Sequence, residues 1–136
     1  MIVADASLIA CLAIRDERTE LAEAVCVADM AWAVPSLWRS EVRSALMKYY
    51  KHGLMGFESM MISWHLAEEA VGGREYAVES RKVLDLAVRS KCTACDCEYV
   101  VLAEELGVPL VTADEQLLKT FPKIAVSFEG FLKKNK

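Results

Sequence analysis

The amino-acid sequence predicts an α/β fold, a central parallel sheet with helices on both faces. Two observations carry that expectation. Short apolar runs suited to buried strands alternate along the chain with longer stretches of helical periodicity. At 136 residues there is room for one domain (1–136) and one continuous core, and 54% apolar against 26% charged residues is the balance of a compact soluble protein.

The elements follow in order. Residues 1–4 are an apolar run stopped by Asp5 and read as a buried strand. Residues 6–14 are apolar with Ser7 at their head as a cap, and read as a short helix. Residues 20–29 resume a helical pattern, with Leu21, Ala24, Val25 and Ala28 on one face. Residues 31–34 are a second strand, ended by Pro35. Ser36 opens a long helix in which Leu37, Trp38, Val42, Ala45, Leu46 and Tyr49 recur near helical spacing, until Gly53. A further helix covers 57–70 and closes at Gly72-Gly73. Residues 76–78 are a brief strand or a loop, and 79–89 a helix. After a cysteine cluster, 98–106 is helical and ends at Gly107, 109–112 is a buried strand, and 114–121 is a short helix. Residues 124–127 are a final strand, followed by a helical turn and a basic tail.

Composition narrows the function. The uncharged stretch 30–38 is too short to cross a bilayer and is interrupted by Pro35. The opening residues lack the basic start and long apolar core of a signal peptide, so a cytoplasmic address is expected. A net charge of −4 argues against gripping nucleic acid by a basic surface. It leaves a nuclease open, because bound metal would offset acidic site residues locally. Cys11, Cys26, Cys92, Cys95 and Cys97 are odd in number and irregular in spacing, and read as reduced thiols acting as small apolar residues.

Four carboxylates stand in telling places. Asp5 follows the first strand directly, and Asp114 stands two residues after the 109–112 strand, so both belong at the carboxyl edge of the sheet, where such folds place their functional crevice. Asp96 lies near the start of the helix leading into that strand, and Glu41 in the first turns of the helix after Pro35. Taken singly, Asp5, Asp96 and Asp114 are equally well helix caps, and Glu41 a solvated helix charge. Together, in apolar surroundings, they face desolvation and mutual repulsion that a divalent ion resolves, and an oxygen-only donor set suits magnesium or manganese.

The stretch from Thr93-Ala94-Cys95-Asp96 through Val108-Pro109-Leu110-Val111-Thr112-Ala113-Asp114 resembles the third and fourth acidic sites of the VapC-type PIN domains. Val3-Ala4-Asp5-Ala6-Ser7 resembles their opening, and Pro35-Ser36-Leu37 leading to Glu41 their second acidic element. The resemblance covers nearly the whole chain in the correct order. It implies a single PIN-like domain that cleaves RNA phosphodiester bonds with Mg2+ or Mn2+. Asp5, Glu41, Asp96 and Asp114 would be its catalytic, metal-binding residues, with Ser7 and Thr112 as candidate hydrogen-bond partners behind them. It further implies a homodimer and an antitoxin protein as partners of a toxin, and no membrane. Two departures stand out: cysteine at 92, 95 and 97, and Glu115 directly after Asp114, where an auxiliary metal role is open.

Other constellations compete. Cys92-x-x-Cys95-x-Cys97 suggests zinc or an iron–sulfur cluster, but no second CxxC or nearby histidine completes four ligands, which favours packing. His52 and His65 are too few and scattered for histidine catalysis, and neither a G-x-S-x-G element nor a glycine-rich phosphate loop is present. A haloacid-dehalogenase-like phosphatase also begins with an aspartate after its first strand, but as Asp-x-Asp, where this chain has Ser7. A receiver domain wants an acidic pair that Asp5 lacks. A catalytically inactive PIN-fold binding module is the remaining alternative. Met47, Tyr49, Tyr50, Leu54, Met55, Phe57, Met60, Met61 and Trp64 are expected mostly to pack between two helices; the alternative is an exposed groove for an antitoxin helix or a second copy. Arg15, Arg39, Arg43 and Lys119 suit either phosphate contacts or solvated helix faces.

Overall fold

The computed structural model describes residues 1–135. Among them five strands and eight helices alternate: β1 (Ile2–Ala4), α1 (Ala6–Ala13), α2 (Thr19–Ala28), β2 (Trp32–Pro35), α3 (Trp38–Lys51), α4 (Phe57–Val71), β3 (Glu75–Tyr76), α5 (Ser80–Ser90), α6 (Ala94–Leu106), β4 (Leu110–Val111), α7 (Glu115–Thr120), β5 (Ala125–Val126) and α8 (Phe128–Lys134). The strands form one all-parallel sheet in the order β3-β2-β1-β4-β5. This is the predicted α/β architecture.

Side-chain alternation along β1 explains how one short strand feeds two layers of core. Ile2 and Ala4 point to one face, into a cluster with Leu8, Val25, Trp32, Val42, Val71 and Phe128, drawn from α1, α2, α3, α4 and α8 as well as β2. Val3 points to the other, with Ala33, Leu86, Val100, Leu110 and Leu117, drawn from α5, α6 and α7 as well as β2 and β4. β1 therefore has to be apolar throughout, and all three of its residues are buried.

The chain order places the crevice. From β1 the chain builds outward through β2 and β3, then returns to lay β4 and β5 on the other side of β1. The reversal between β1 and β4 leaves a gap beyond their carboxyl ends, because the following connections diverge to opposite faces. Asp5 and Thr112 are the first residues past those ends.

Several local expectations are corrected. Asp5, not Ser7, caps α1: its side chain accepts from the Ser7 amide. Helix α6 begins at Ala94 rather than at 98, because Thr93 takes extended backbone angles and its Oγ1 accepts from the Asp96 amide at 3.1 Å. Asp96 thus lies inside the first turn instead of capping a later start. The uncertain segment at 76–78 is a strand at Glu75–Tyr76, paired with Val34 and Pro35.

The aromatic and methionine stretch divides: Tyr49, Met55, Met60 and Trp64 are partly buried and pack against the core as expected, while Met47, Tyr50, Leu54 and Phe57 are exposed. None of Met47, Tyr49, Tyr50, Leu54, Met55, Phe57, Met60, Met61 and Trp64 is fully buried, and Leu54 is 70% exposed. Helices α3 and α4 commit other residues inward, Trp38, Val42 and Leu46 on one and Ser63, Ala67 and Val71 on the other. From the two helices Leu46, Met47, Met60, Met61 and Trp64 line an apolar hollow with Arg43. Trp64 stacks on Trp38 at 5.1 Å between ring centres.

Among the described residues three helix ends need left-handed backbone, that of α4 at Gly72 being one. Gly107 (φ 67°) closes α6, whereas Lys91 (φ 62°) does the same for α5 with a side chain attached. A non-glycine residue in that region is disfavoured by about 1–2 kcal/mol, partly offset by the greater chain entropy of glycine when unfolded. Lys91→Gly is expected to stabilise the protein by about 0.5 kcal/mol, and Gly107→Ala to destabilise it by about 1 kcal/mol, in urea unfolding. Shifts of the same sign in both variants would contradict this account.

Candidate metal centre

Asp5 is only 9% exposed, and both its oxygens are engaged. Oδ1 accepts from the Ser7 amide at 3.3 Å, and Oδ2 accepts the hydroxyl of the fully buried Thr112. The Thr112 oxygen in turn accepts from the Asp114 amide at 2.9 Å. The Ser7 hydroxyl accepts from the Ala113 amide at 3.1 Å, and the Asp5 amide donates to the Val111 carbonyl at 3.2 Å. The β1–α1 and β4–α7 turns are therefore laced together, with Ser7 and Thr112 as the fasteners. Ser7 is occupied in this way, unlike the second acid of a phosphatase Asp-x-Asp pair.

Asp114 caps α7, its Oδ1 accepting from the Gln116 and Leu117 amides at 2.8 and 3.4 Å. Glu41 sits in the first turn of α3, and its Oε1 accepts the Tyr99 hydroxyl at 2.6 Å. Tyr99 lies on the buried side of α6, three residues beyond Asp96, and burial with the Glu41 charge drives its ionisation far above the ordinary tyrosine range. Asp96 occupies the first turn of α6, where the helix N-terminus favours a negative charge. Tyr99 was missed as a functional residue in the sequence because it reads as one more apolar neighbour; its spacing of three from Asp96 was the available signal.

The electrostatics tie the four acids together. Burial raises the Asp5 carboxyl above its ordinary range and the Asp114 charge adds to this, while bonds from Thr112 and Ser7 oppose it. Burial also raises Glu41, with Asp5, Asp96 and Glu98 reinforcing and the Tyr99 bond opposing. Asp96 is raised by burial and by Asp114, against the Thr93 hydroxyl. Repulsion thus runs around a ring: Asp5 with Asp114, Asp114 with Asp96, Asp96 with Glu41, Glu41 with Asp5. Among the described residues none of the four pairs with a lysine or arginine. Nor, among them, are three acidic, cysteine or histidine side chains already gathered tightly enough to enclose an ion. An oxygen-only donor set carrying uncompensated charge nevertheless fits a hard divalent cation.

The other candidates fall elsewhere. Cys97 is buried, Cys92 half-buried and Cys95 exposed. Cys95 lies beside the ring, and burial with the charges of Glu41, Glu98 and Asp96 pushes its thiol up, away from the reactive thiolate form. Glu115 is exposed in the first turn of α7. Arg39 is held by Glu75 at 2.5 Å and Glu68 at 3.6 Å, Arg15 by Glu23 at 3.2 Å, and Arg43 lies over Trp64. Lys119 lies in the last turn of α7.

No family model matches the chain. Ribonuclease VapC3 of Pyrobaculum aerophilum is 33% identical to it over 127 residues, which are 90% of this chain and 96% of the relative. The chain belongs to the VapC family. The crystal structure of PAE2754, also from Pyrobaculum aerophilum, matches with a TM-score of 0.73 at 25% identity, across 98% of this chain and 97% of that one. For this VapC chain the lacing of β1 to β4 is the structural premise of the site. Thr112→Val leaves both a buried carboxylate oxygen and the Asp114 amide without a partner, and is expected to destabilise by about 2 kcal/mol in urea unfolding. Thr112→Ser, which keeps the hydroxyl, should lose less. A Thr112→Val protein as stable as the parent would show that the bond contributes little.

Proposed function

We propose that the protein is a ribonuclease that hydrolyses RNA phosphodiester bonds with Mg2+ or Mn2+, and that it is the toxin of a toxin–antitoxin pair. One observation carries the chemistry: four mutually repelling carboxylates, without a cationic partner among the described residues, surround the β1–β4 crevice of a VapC-family chain. The name of the relative, a ribonuclease, supports the reaction class.

In this reading Asp5, Glu41, Asp96 and Asp114 hold the metal. When bound, the metal neutralises the scissile phosphate and lowers the pKa of an attacking water. The chain's own contribution is orientation. Thr112 and Ser7 fix Asp5, and the hydroxyl of Tyr99 fixes one oxygen of Glu41 while leaving the other uncommitted. The Thr93 cap sets where α6 begins, and with it the height of Asp96 above the sheet edge. The amides of α7 hold one oxygen of Asp114.

The apolar hollow between α3 and α4 supports the partner side of the proposal. A half-exposed surface of methionine and tryptophan suits an amphipathic helix of an antitoxin, or a second copy of the chain in a homodimer. No helix among the described residues is long and apolar enough to cross a membrane, and in this reading the protein meets its RNA in the cytoplasm.

Asp96→Asn is expected to lower Mn2+-dependent cleavage of single-stranded RNA by more than about 100-fold. In metal-free buffer the same protein should be at least as stable as the parent, because one repelling charge is gone, with a gain below about 1 kcal/mol for a partly solvated group. Its stabilisation by added Mn2+, about 2.7 kcal/mol for the parent at a hundredfold excess over Kd, should shrink. Undiminished cleavage by a folded Asp96→Asn protein would overturn the assignment.

A further inference from the structure

A cleft of about 390 Å3 runs along one face of α3, walled by Ser40, Glu41, Ser44, Ala45, Lys48 and Tyr49. Glu41, Ser44 and Lys48 are spaced i, i+3 and i+7, which sets them on one line along the helix. That line starts in the carboxylate ring and leads away from it to a cation. At 1.5 Å per residue, Lys48 lies about 10 Å beyond Glu41 along the axis. Lys48 is exposed, and among the described residues it pairs with no carboxylate. Tyr49, half-buried beside it, also borders the adjoining hollow of about 530 Å3, which Arg15 helps to line.

The sequence of groups along this cleft matches what a single nucleic-acid strand presents. A site for divalent ions stands at one end, hydroxyls follow, and a free cation beside an aromatic ring stands at the other. Near a protein of net charge −4 a strand is held more tightly where a cation meets one of its phosphates and a π-face meets one of its bases. The apolar hollow that meets Trp64 on the other side of α3 also carries a cation over an aromatic ring, Arg43 on Trp64, but it has no hydroxyl among its lining residues and does not include Glu41, so of the two only the cleft leads from the acids to a cation.

We propose that this cleft is the subsite for the single-stranded RNA flanking the scissile phosphate, with Lys48 pairing with a backbone phosphate and Tyr49 stacking against a base; the proposal rests on the ribonuclease reading above. Lys48 and Tyr49 are positioning residues. They hold the strand beside the carboxylates by contacts that are equal before and during the reaction, and take no part in the bond changes.

The test separates binding from cleavage. Affinity for a fluorescein-labelled single-stranded RNA of about ten nucleotides is measured on full-length Asp96→Asn protein with Mg2+ over a series of salt concentrations. Adding Lys48→Gln should weaken binding about 5- to 10-fold near 0.1 M salt, and flatten the dependence of log Kd on log salt by about 0.7. Tyr49→Leu should weaken it about 5-fold or more, and Tyr49→Phe should restore it. In the cleavage-competent protein Lys48→Gln should raise KM and leave kcat unchanged. A purely structural role for Lys48 would move the melting temperature and not the salt slope. An unchanged slope and affinity in Lys48→Gln would overturn the subsite, even while cleavage by the parent upholds the ribonuclease reading. RNA binding that depends on Lys48, in a parent protein that cleaves no RNA, would support the subsite and overturn the catalytic reading. Loss of self-association in Lys48→Gln with RNA binding intact would assign the cleft to a protein partner and overturn the proposal.

Discussion

The hydrogen bond from the buried Thr112 hydroxyl to Asp5 is the contact on which the rest of the structure depends. It joins two residues separated by 107 positions, at the point where the order of strands in the sheet reverses. A carboxylate 9% exposed needs hydrogen bonds to remain there, and a threonine that gives its proton to Asp5 still has lone pairs for the Asp114 amide. One hydroxyl thereby sets the spacing of two acids delivered by different strands. Valine has nearly the same shape and none of this capacity, so threonine at this position is a matter of chemistry more than of packing.

From that anchor the electrostatics run against stability. Asp5, Glu41 and Asp96 are each raised by burial and by neighbouring acids, and hydrogen bonds from Ser7, Thr93, Tyr99 and Thr112 only partly offset the repulsion. A protein selected for stability alone would place apolar residues or counter-charges here. The crevice does the opposite, whereas opposite charges meet at other places, as between Arg39 and Glu75 or Lys82 and Glu105. Acids held together without counter-charges are a common mark of a functional site.

Much of this was legible in the residues. Asp5 and Asp114 could be located because a buried parallel strand is a continuous apolar run, and the first polar residue after it marks the carboxyl edge. Glu41 was located mainly by resemblance, since a single acid in a polar helix has no signature of its own. The start of α6 was hidden by the cysteines: Cys92 and Cys95 gave no helical pattern, and the Thr93 cap shows only once the backbone is known. Tyr99 was invisible as the partner of Glu41 because its value lies in a contact across 58 residues. The stretch from Met47 to Trp64 was legible only in part for a related reason: Tyr49, Met55, Met60 and Trp64 do pack against the core, and their neighbours do not. Apolar residues on the outside of two adjoining helices share the periodicity of residues between them, and only the tertiary arrangement tells which side faces the sheet.

The placement of β1 at the centre of the sheet has a consequence for how the molecule comes into being. β1 is made before both of its neighbours, β2 and β4, and β4 follows only after α1 to α6, β2 and β3 have been made. Until then one edge of β1 has no partner, Asp5 has no Thr112, and Asp114 does not exist. Contacts this distant in sequence form late and slowly. Asp5, Glu41 and Asp96 are therefore made before the residues that gather them, and the crevice assembles only once β4 and the turn after it have been laid down.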